Sequence, residues 1–223
     1  MPIDWSYYTD RPDVRGLVRD SCRTILDLGC GPGLVGEALK RSRPCRVTGV
    51  EINREAAEEA RRRIDEVIAG DIEQLVDALP ARAYDCILAA DVLEHLRDPW
   101  RVLRALRRCL AHGGYVVASV PNVAHWCVLK GLLEGDWVYQ PQGLLDATHL
   151  RFFTRRGIVR LFESSGYRIQ QMAPMVSPIC GEVPAVILEG LRSAGFDADR
   201  VRDEATHWVY YVVAYPVADG EGS

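Results

Sequence analysis

Apolar runs and segments of helical periodicity alternate along the chain from Thr24 to Pro121. TILDLG reads as a short strand stopped by a glycine cluster, GLVGEALKRS as a helix and CRVTGVEI as a second strand. NREAAEEARRRID predicts a further helix. Asn53 can cap it, acids come early and arginines late, and Glu58/Arg62 and Glu59/Arg63 stand four residues apart. EVIAGD is a short third strand and YDCILAAD a fourth. Asp98 as cap and Pro99 at the first helical position open the next helix, whose Trp100, Leu103, Leu106 and Leu110 form an apolar stripe. The Gly113-Gly114 pair is expected to end it before the strand YVVASVP. This βαβα order implies a parallel sheet with helices on both faces.

Beyond residue 121 the beat fails. Residues 122–153 read as an insertion rich in Trp, Gly and Gln, before TRRGIVRLFESSG makes a helix capped by Thr154. YRIQQMAP and HWVYYVVAYPV are the last two strands, with one helix, EVPAVILEGLRSAG, between them. The expected fold is α/β: seven strands, mostly parallel, with helices on both faces and the last strand pair antiparallel. Residues 1–223 are taken as a single domain, with an N-terminal lid over about residues 1–20 and cover insertions over about 122–153 and 174–206. The final ADGEGS reads as a disordered end.

Composition narrows the partners. A chain of 223 residues that is 48% hydrophobic can bury a full core. A formal net charge of −4 argues against gripping nucleic acid or an anionic membrane surface. Cys22, Cys30, Cys45, Cys86, Cys109, Cys127 and Cys180 form no CxxC pair and leave an odd one over, a poor disulfide or zinc framework. A reducing, cytoplasmic setting is therefore expected. The start, MPIDWSYYTDRP, has no basic-then-apolar leader, and no apolar run is long enough to cross a bilayer.

The stretch ILDLGCGPGLVG, residues 25–36, sets glycines between a strand and a helix, where backbone must approach a ligand closely. Two templates fit. Gly31, Gly33 and Gly36 match the GxGxxG dinucleotide fingerprint, with Glu51 ending the next strand 20 residues after Gly31. Asp27 discriminates, because a carboxylate ahead of the glycines repels a pyrophosphate and welcomes a cation.

With Asp27, Leu28, Gly29, Cys30, Gly31, Pro32 and Gly33 in that order, the loop resembles that of the class I S-adenosylmethionine-dependent methyltransferases, a Rossmann-like fold. The bacterial small-molecule type, similar to ubiquinone-pathway O-methyltransferases, is the nearest in pattern. The resemblance implies S-adenosyl-L-methionine as cofactor, with S-adenosyl-L-homocysteine as product. It also implies that Glu51 holds the ribose hydroxyls, Ile52 packs on adenine, Asp71 accepts from the adenine amino group beside the Ile72 amide, and Asp91 meets the methionyl end. Tyr8, with Tyr7 beside it, belongs to a segment that family members fold over the cofactor; aromatic packing is the equal alternative.

Methyl transfer is an in-line displacement, so alignment supplies much of the rate, and only some acceptors need a base. In LLDATHLRFFT, residues 144–154, His149 is the first candidate for that base, since imidazole titrates near neutrality. The competing reading is that Asp146 and Thr148 cap a turn and His149 satisfies backbone. Asp91, Glu94 and His95 lie at i, i+3 and i+4 and with His149 offer mixed metal donors. This resembles the E-x-x-E-H pattern of metal-dependent members such as small-RNA 2′-O-methyltransferases, with Asp91 replacing the first Glu. Non-metal relatives carry the same turn with His95 bracing the loop, and the metal is left unknown. Asn122 and His125, after the fifth strand, are candidates to face the substrate or to form a turn. Trp126, Trp137, Tyr139, Phe152 and Phe153 are candidates for an acceptor pocket or for core.

The expected function is S-adenosylmethionine-dependent methylation of a small-molecule acceptor, oxygen first and nitrogen or carbon as alternatives, within a biosynthetic pathway. A non-catalytic S-adenosylmethionine-binding partner subunit and an NAD-dependent oxidoreductase are the rivals. The oligomeric state is left between monomer and homodimer.

Overall fold

In the computed structural model, which describes residues 8–217, the strands are β1 (Thr24–Leu28), β2 (Arg46–Glu51), β3 (Glu66–Ala69), β4 (Tyr84–Ala90), β5 (Leu110–Pro121), β6 (Tyr167–Val176) and β7 (His207–Pro216). They form one sheet in the order β3-β2-β1-β4-β5-β7-β6. The first five pair in parallel, and β7 runs antiparallel between β5 and β6. Tyr7 and the terminal ADGEGS lie outside the described residues.

The central strands are buried on both faces, so they read as nearly continuous apolar runs whose side chains alternate between two clusters. Leu26, Leu28, Ile87 and Ala89 point into one, with Val102, Leu103 and Leu106 of α5 (Pro99–Leu106) and Ile158, Leu161 and Phe162 of α7 (Arg155–Ser164). Ile25, Cys86 and Leu88 point into the other, with Val14 of α1 (Pro12–Arg15), Leu39 of α2 (Leu34–Ser42) and Ala60 of α3 (Arg54–Ala60). The expected caps are in place: Asn53 accepts from the Glu55 and Ala56 amides, Asp98 from Arg101 and Thr154 from Gly157. A one-turn helix, α4 (Ile72–Leu75), opens on Asp71.

Several expectations fail. Gly113 and Gly114 do not stop a helix; they lie inside β5, where Gly113 adopts φ 75° near a register shift against β4. The regions beyond residue 121 hold more helix than the sequence predicted: α6 (Trp126–Leu133) in the first insertion, and α8 (Ala185–Ser193) and α9 (Ala198–Glu204) where one helix was expected. Trp126, Val183, Leu188, Ala198 and Ala205 bury a third, smaller apolar cluster between them. Cys127 and Cys180 are bonded across it with their Cα atoms 5.4 Å apart, which corrects the expectation of no disulfide. Their 53-residue separation hid the pairing, because only folding brings α6 beneath the loop before α8.

Asn122 and His125, expected to face a substrate or to form a turn, are wholly buried under this cover and do not line the cavity described below. Asn122 Nδ2 donates to the Glu204 and His207 carbonyls, and its Oδ1 accepts from the Ala124 amide. His125 caps α6 through the Cys127 amide and reaches the Ser177 carbonyl at 2.9 Å. These atoms replace water for buried backbone, so they fasten β5 to the cover. No described helix is long and apolar enough to cross a membrane.

Asn122→Ala leaves two buried carbonyls and one amide without their partner and is expected to cost about 2–3 kcal/mol in urea unfolding, or roughly 5–10 °C in Tm. Cofactor-site affinity in the folded variant should stay unchanged.

Candidate functional site

A cavity of about 890 Å³ opens at the carboxyl ends of β1, β2, β3 and β4, where a doubly wound sheet leaves its ligand crevice. Asp27, Gly29, Cys30, Glu51, Ile52, Asp71, Ile72, Asp91 and Tyr8 all line it, brought together from four strand ends and the N-terminal segment. Gly31 and Gly33 do not. Gly31, at φ 53°, lies beneath the Tyr8 ring, where a Cβ would come within 2.4 Å of it. Gly33, at φ 83°, is the turn that launches α2 against Ala60. Both shape the loop and leave its neighbours to form the wall.

The acids differ in how well they are satisfied. Glu51 accepts from the Gly31 amide at 2.8 Å and the Asn53 amide at 2.7 Å, which fixes the loop to β2. Asp71 accepts from the Glu73 amide at 2.9 Å as the cap of α4 while lining the cavity. Asp27 is 3% exposed and its Oδ2 has no hydrogen-bond partner among the described residues. Burial, with Glu51 nearby, pushes its carboxyl up to about 7. The same two carboxylates and burial push the Cys30 thiol up. Ile52 stands 68% exposed at the rim, an apolar side chain open to the cavity.

Asp91 holds a left-handed backbone at φ 52°. Its amide and its Oδ1 both bond Ser119 Oγ, at 3.0 and 2.7 Å, and its Oδ2 meets the guanidinium of Arg11. Arg11, itself at φ 42°, lines the cavity and was not singled out from the sequence. Burial opposes its charge, but Asp13 and Asp91 outweigh that and keep the guanidinium ionised.

The far wall comes from the turn after β4 and from LLDATHLRFFT, whose Leu150 and Arg151 amides both bond the Glu94 carbonyl. His95, Asp146, Thr148 and Leu150 line it. His149 does not. It is buried behind His95, ring centroids 4.8 Å apart, with Nδ1 donating to the Leu144 carbonyl at 3.2 Å. Burial, then His95, pulls its imidazole below the ordinary value. The turn-capping alternative describes Asp146, which accepts from the Thr148 amide and hydroxyl at 2.7 and 2.6 Å. None of Trp126, Trp137, Tyr139, Phe152 and Phe153 lines the cavity; Trp137 and Phe152 pack on each other, and Trp126 and Phe153 are core.

Glu94, His95 and His149 bring one donor atom each within 4.8 Å of one another. Asp91 is not part of the set, since Arg11 and Ser119 occupy it. Both Glu94 carboxylate oxygens are buried without a partner among the described residues, and burial, then Asp91, pushes that carboxyl well above the ordinary range. His95 Nδ1 faces the Thr148 carbonyl at 3.3 Å and His149 Nδ1 the Leu144 carbonyl, acceptors both, so each neutral ring is held in the tautomer that donates there and presents its lone pair at Nε2.

Residues 8–172 match the family model described as a methyltransferase domain. The chain is 28% identical over 158 residues to the ubiquinone biosynthesis O-methyltransferase of Aeromonas salmonicida, covering 68% of this chain and 65% of that enzyme. It is 32% identical over 155 residues to that of Idiomarina loihiensis, covering 64% and 60% respectively. The matches thus span about three-fifths of those enzymes' length. A structure described as a SAM-dependent methyltransferase from Archaeoglobus fulgidus superposes with TM-score 0.63 at 18% identity, covering 87% of this chain and 86% of its own, a likeness of fold.

Asp27 carries a folded value near 7 against about 3.9 in the unfolded chain, so the folded state binds the extra proton between those values. Stability in the absence of ligand should fall as pH rises from about 4 to 7, by up to about 4 kcal/mol. Asp27→Asn should lose the Asp27 share of that slope, leaving the Glu94 share, and unfold later than the wild type at pH 8, as read by urea denaturation across pH.

Proposed function

The chain belongs to the methyltransferase-domain family, and on that footing we propose that it is an S-adenosylmethionine-dependent methyltransferase that methylates an oxygen of a small-molecule acceptor in a biosynthetic pathway. One observation carries this reading: acids from four successive strand ends line a single cavity, and the first of them, Asp27, is buried with an unpartnered oxygen. Such a wall suits a cationic ligand and opposes the pyrophosphate of a nicotinamide dinucleotide. Glu51 and Asp71 then hold ribose and adenine, with Ile52 and Ile72 on the ring. Asp91 and Arg11 offer the opposite charges that a zwitterionic methionyl end requires.

When bound, S-adenosylmethionine supplies an electrophilic methyl on a sulfonium. The chain's own work is to align the acceptor with it, which the cavity walls do by restricting both reactants. The acceptor wall is polar, and His95 is its imidazole, in place of His149. The Thr148 carbonyl and hydroxyl, at 3.3 and 3.1 Å from Nδ1, fix the ring so that basic Nε2 is left to take a hydroxyl proton. A need for that base favours oxygen over a neutral amine. The O-methyltransferases it resembles support the same choice.

The unpartnered Glu94 carboxylate favours a second reading. Glu94, His95 and His149 fit a divalent cation chemically: a buried acid without donors, and two imidazoles held through Nδ1 by backbone carbonyls. Bound there, the cation would supply Lewis-acid polarisation of an acceptor oxygen.

Calorimetric titration should give binding of S-adenosylhomocysteine, lost in the Asp27→Ala, Glu51→Ala double variant, and none of NADH. NADH binding without the homocysteine analogue overturns the function.

In a screen of phenol, catechol and hexoside acceptors with labelled S-adenosylmethionine, His95→Ala should lower kcat by roughly 10²-fold or more. Turnover that survives thorough chelation keeps His95 as the base. Turnover lost on chelation and restored by one divalent metal supports the second reading.

A further inference from the structure

The antiparallel register of β5 and β7 sets Ser119 opposite Tyr211, and the N-terminal segment is fastened onto that cross-strand pair. Ser119 Oγ donates to Asp91 and accepts from Arg11 Nη2 at 3.3 Å. The Tyr211 hydroxyl donates to Asp13 Oδ2 at 2.6 Å, and Asp13 in turn accepts from Arg11 Nη2 at 3.0 Å. Met175 of β6 lies 3.5 Å from the same hydroxyl. A continuous chain therefore runs from Tyr211 through Asp13 and Arg11 to Asp91, and only its last two members line the cavity.

We propose that Tyr211 and Asp13 are positioning residues for the methionyl end of the cofactor: they hold Arg11 at the cavity wall and with it the N-terminal segment that carries Tyr8 and Thr9. This rests on the reading that the cavity takes S-adenosylmethionine.

Three features support it. Arg11 sits in a left-handed conformation, which an L-residue adopts at a cost unless its surroundings impose it. The imposing contacts are those to Asp13, Asp91 and Ser119. Next, Asp13 accepts from the Arg11 and Tyr211 side chains and from the Val14 backbone. Burial opposes its charge, yet those bonds hold the carboxyl below its ordinary range, while burial and Asp13 push the Tyr211 phenol up to about 12. The phenol thus keeps its proton and keeps donating across the working pH range. Third, the helix that follows, α1, has one turn and no side-chain cap, so it cannot orient Arg11 by itself.

The role separates from mere structure by ligand. S-adenosylhomocysteine carries the amino-acid end and 5′-methylthioadenosine lacks it. In calorimetry, Tyr211→Phe, which keeps the ring's packing, should weaken S-adenosylhomocysteine roughly three- to tenfold and leave 5′-methylthioadenosine within about twofold. Asp13→Asn should act likewise, and the double variant should fall short of the summed single effects because both act through Arg11. Hydrogen exchange of residues 8–20 should quicken in each variant. Equal losses for both ligands, no loss for either, or additive effects overturn the proposal. A wild-type chain that binds neither ligand instead overturns the cofactor reading on which it rests.

Discussion

The site depends on one unfavourable arrangement: a carboxylate, Asp27, held at the end of β1 with little water and an oxygen that nothing in the described chain satisfies. Burying such a group costs free energy unless a partner arrives, and in this fold the partner is a ligand. The parallel sheet makes the arrangement possible. Its central strands are shielded on both faces by helices, so their carboxyl ends open into one crevice. The loop that follows β1 must then turn tightly enough for β2 to present Glu51 beside it. Gly31 and Gly33 permit that turn, and the Glu51 carboxylate secures it through the Gly31 amide.

Two layers added to the sheet complete the cavity. On one side the N-terminal segment crosses the ends of β5 and β7 and delivers Arg11 to Asp91. Across the opening, the segment before α7 hangs on the Glu94 carbonyl by two amides and turns Thr148 and Asp146 toward His95. Both layers also set apolar side chains into the core, Val14 from the first and Phe153 from the second, so the polar bonds aim segments that burial already holds. The third apolar cluster, with its disulfide, supports the first insertion from behind and adds nothing to the cavity wall.

Glu94 and its two histidines form a second group whose polarity is not balanced within the described chain. It lies beside the wall that His95 and Thr148 form, whereas Asp27 lies at the glycine-loop end of the cavity. The cavity is thus anionic at one end and has an adaptable proton- or cation-binding group at the other. That polarity matches a reaction between a cationic donor and an acceptor that must lose a proton.

The sequence by itself determined the layered α/β order, the caps at Asn53, Asp98 and Thr154, and the series of strand-end acids. Each depends on residues close together in the chain: a local period, a cap three residues from its amide, a glycine cluster after an apolar run. Only the tertiary structure decided which histidine meets the cavity. His95 and His149 are 54 positions apart, and their relative depth follows from the Glu94 carbonyl pinning LLDATHLRFFT. The same reason hid Asn122 and His125 beneath the cover, paired Cys127 with Cys180, and joined Tyr211 to Asp13 across 198 residues. Such contacts are set by strand register and by how insertions pack, which no short-range pattern of residues encodes.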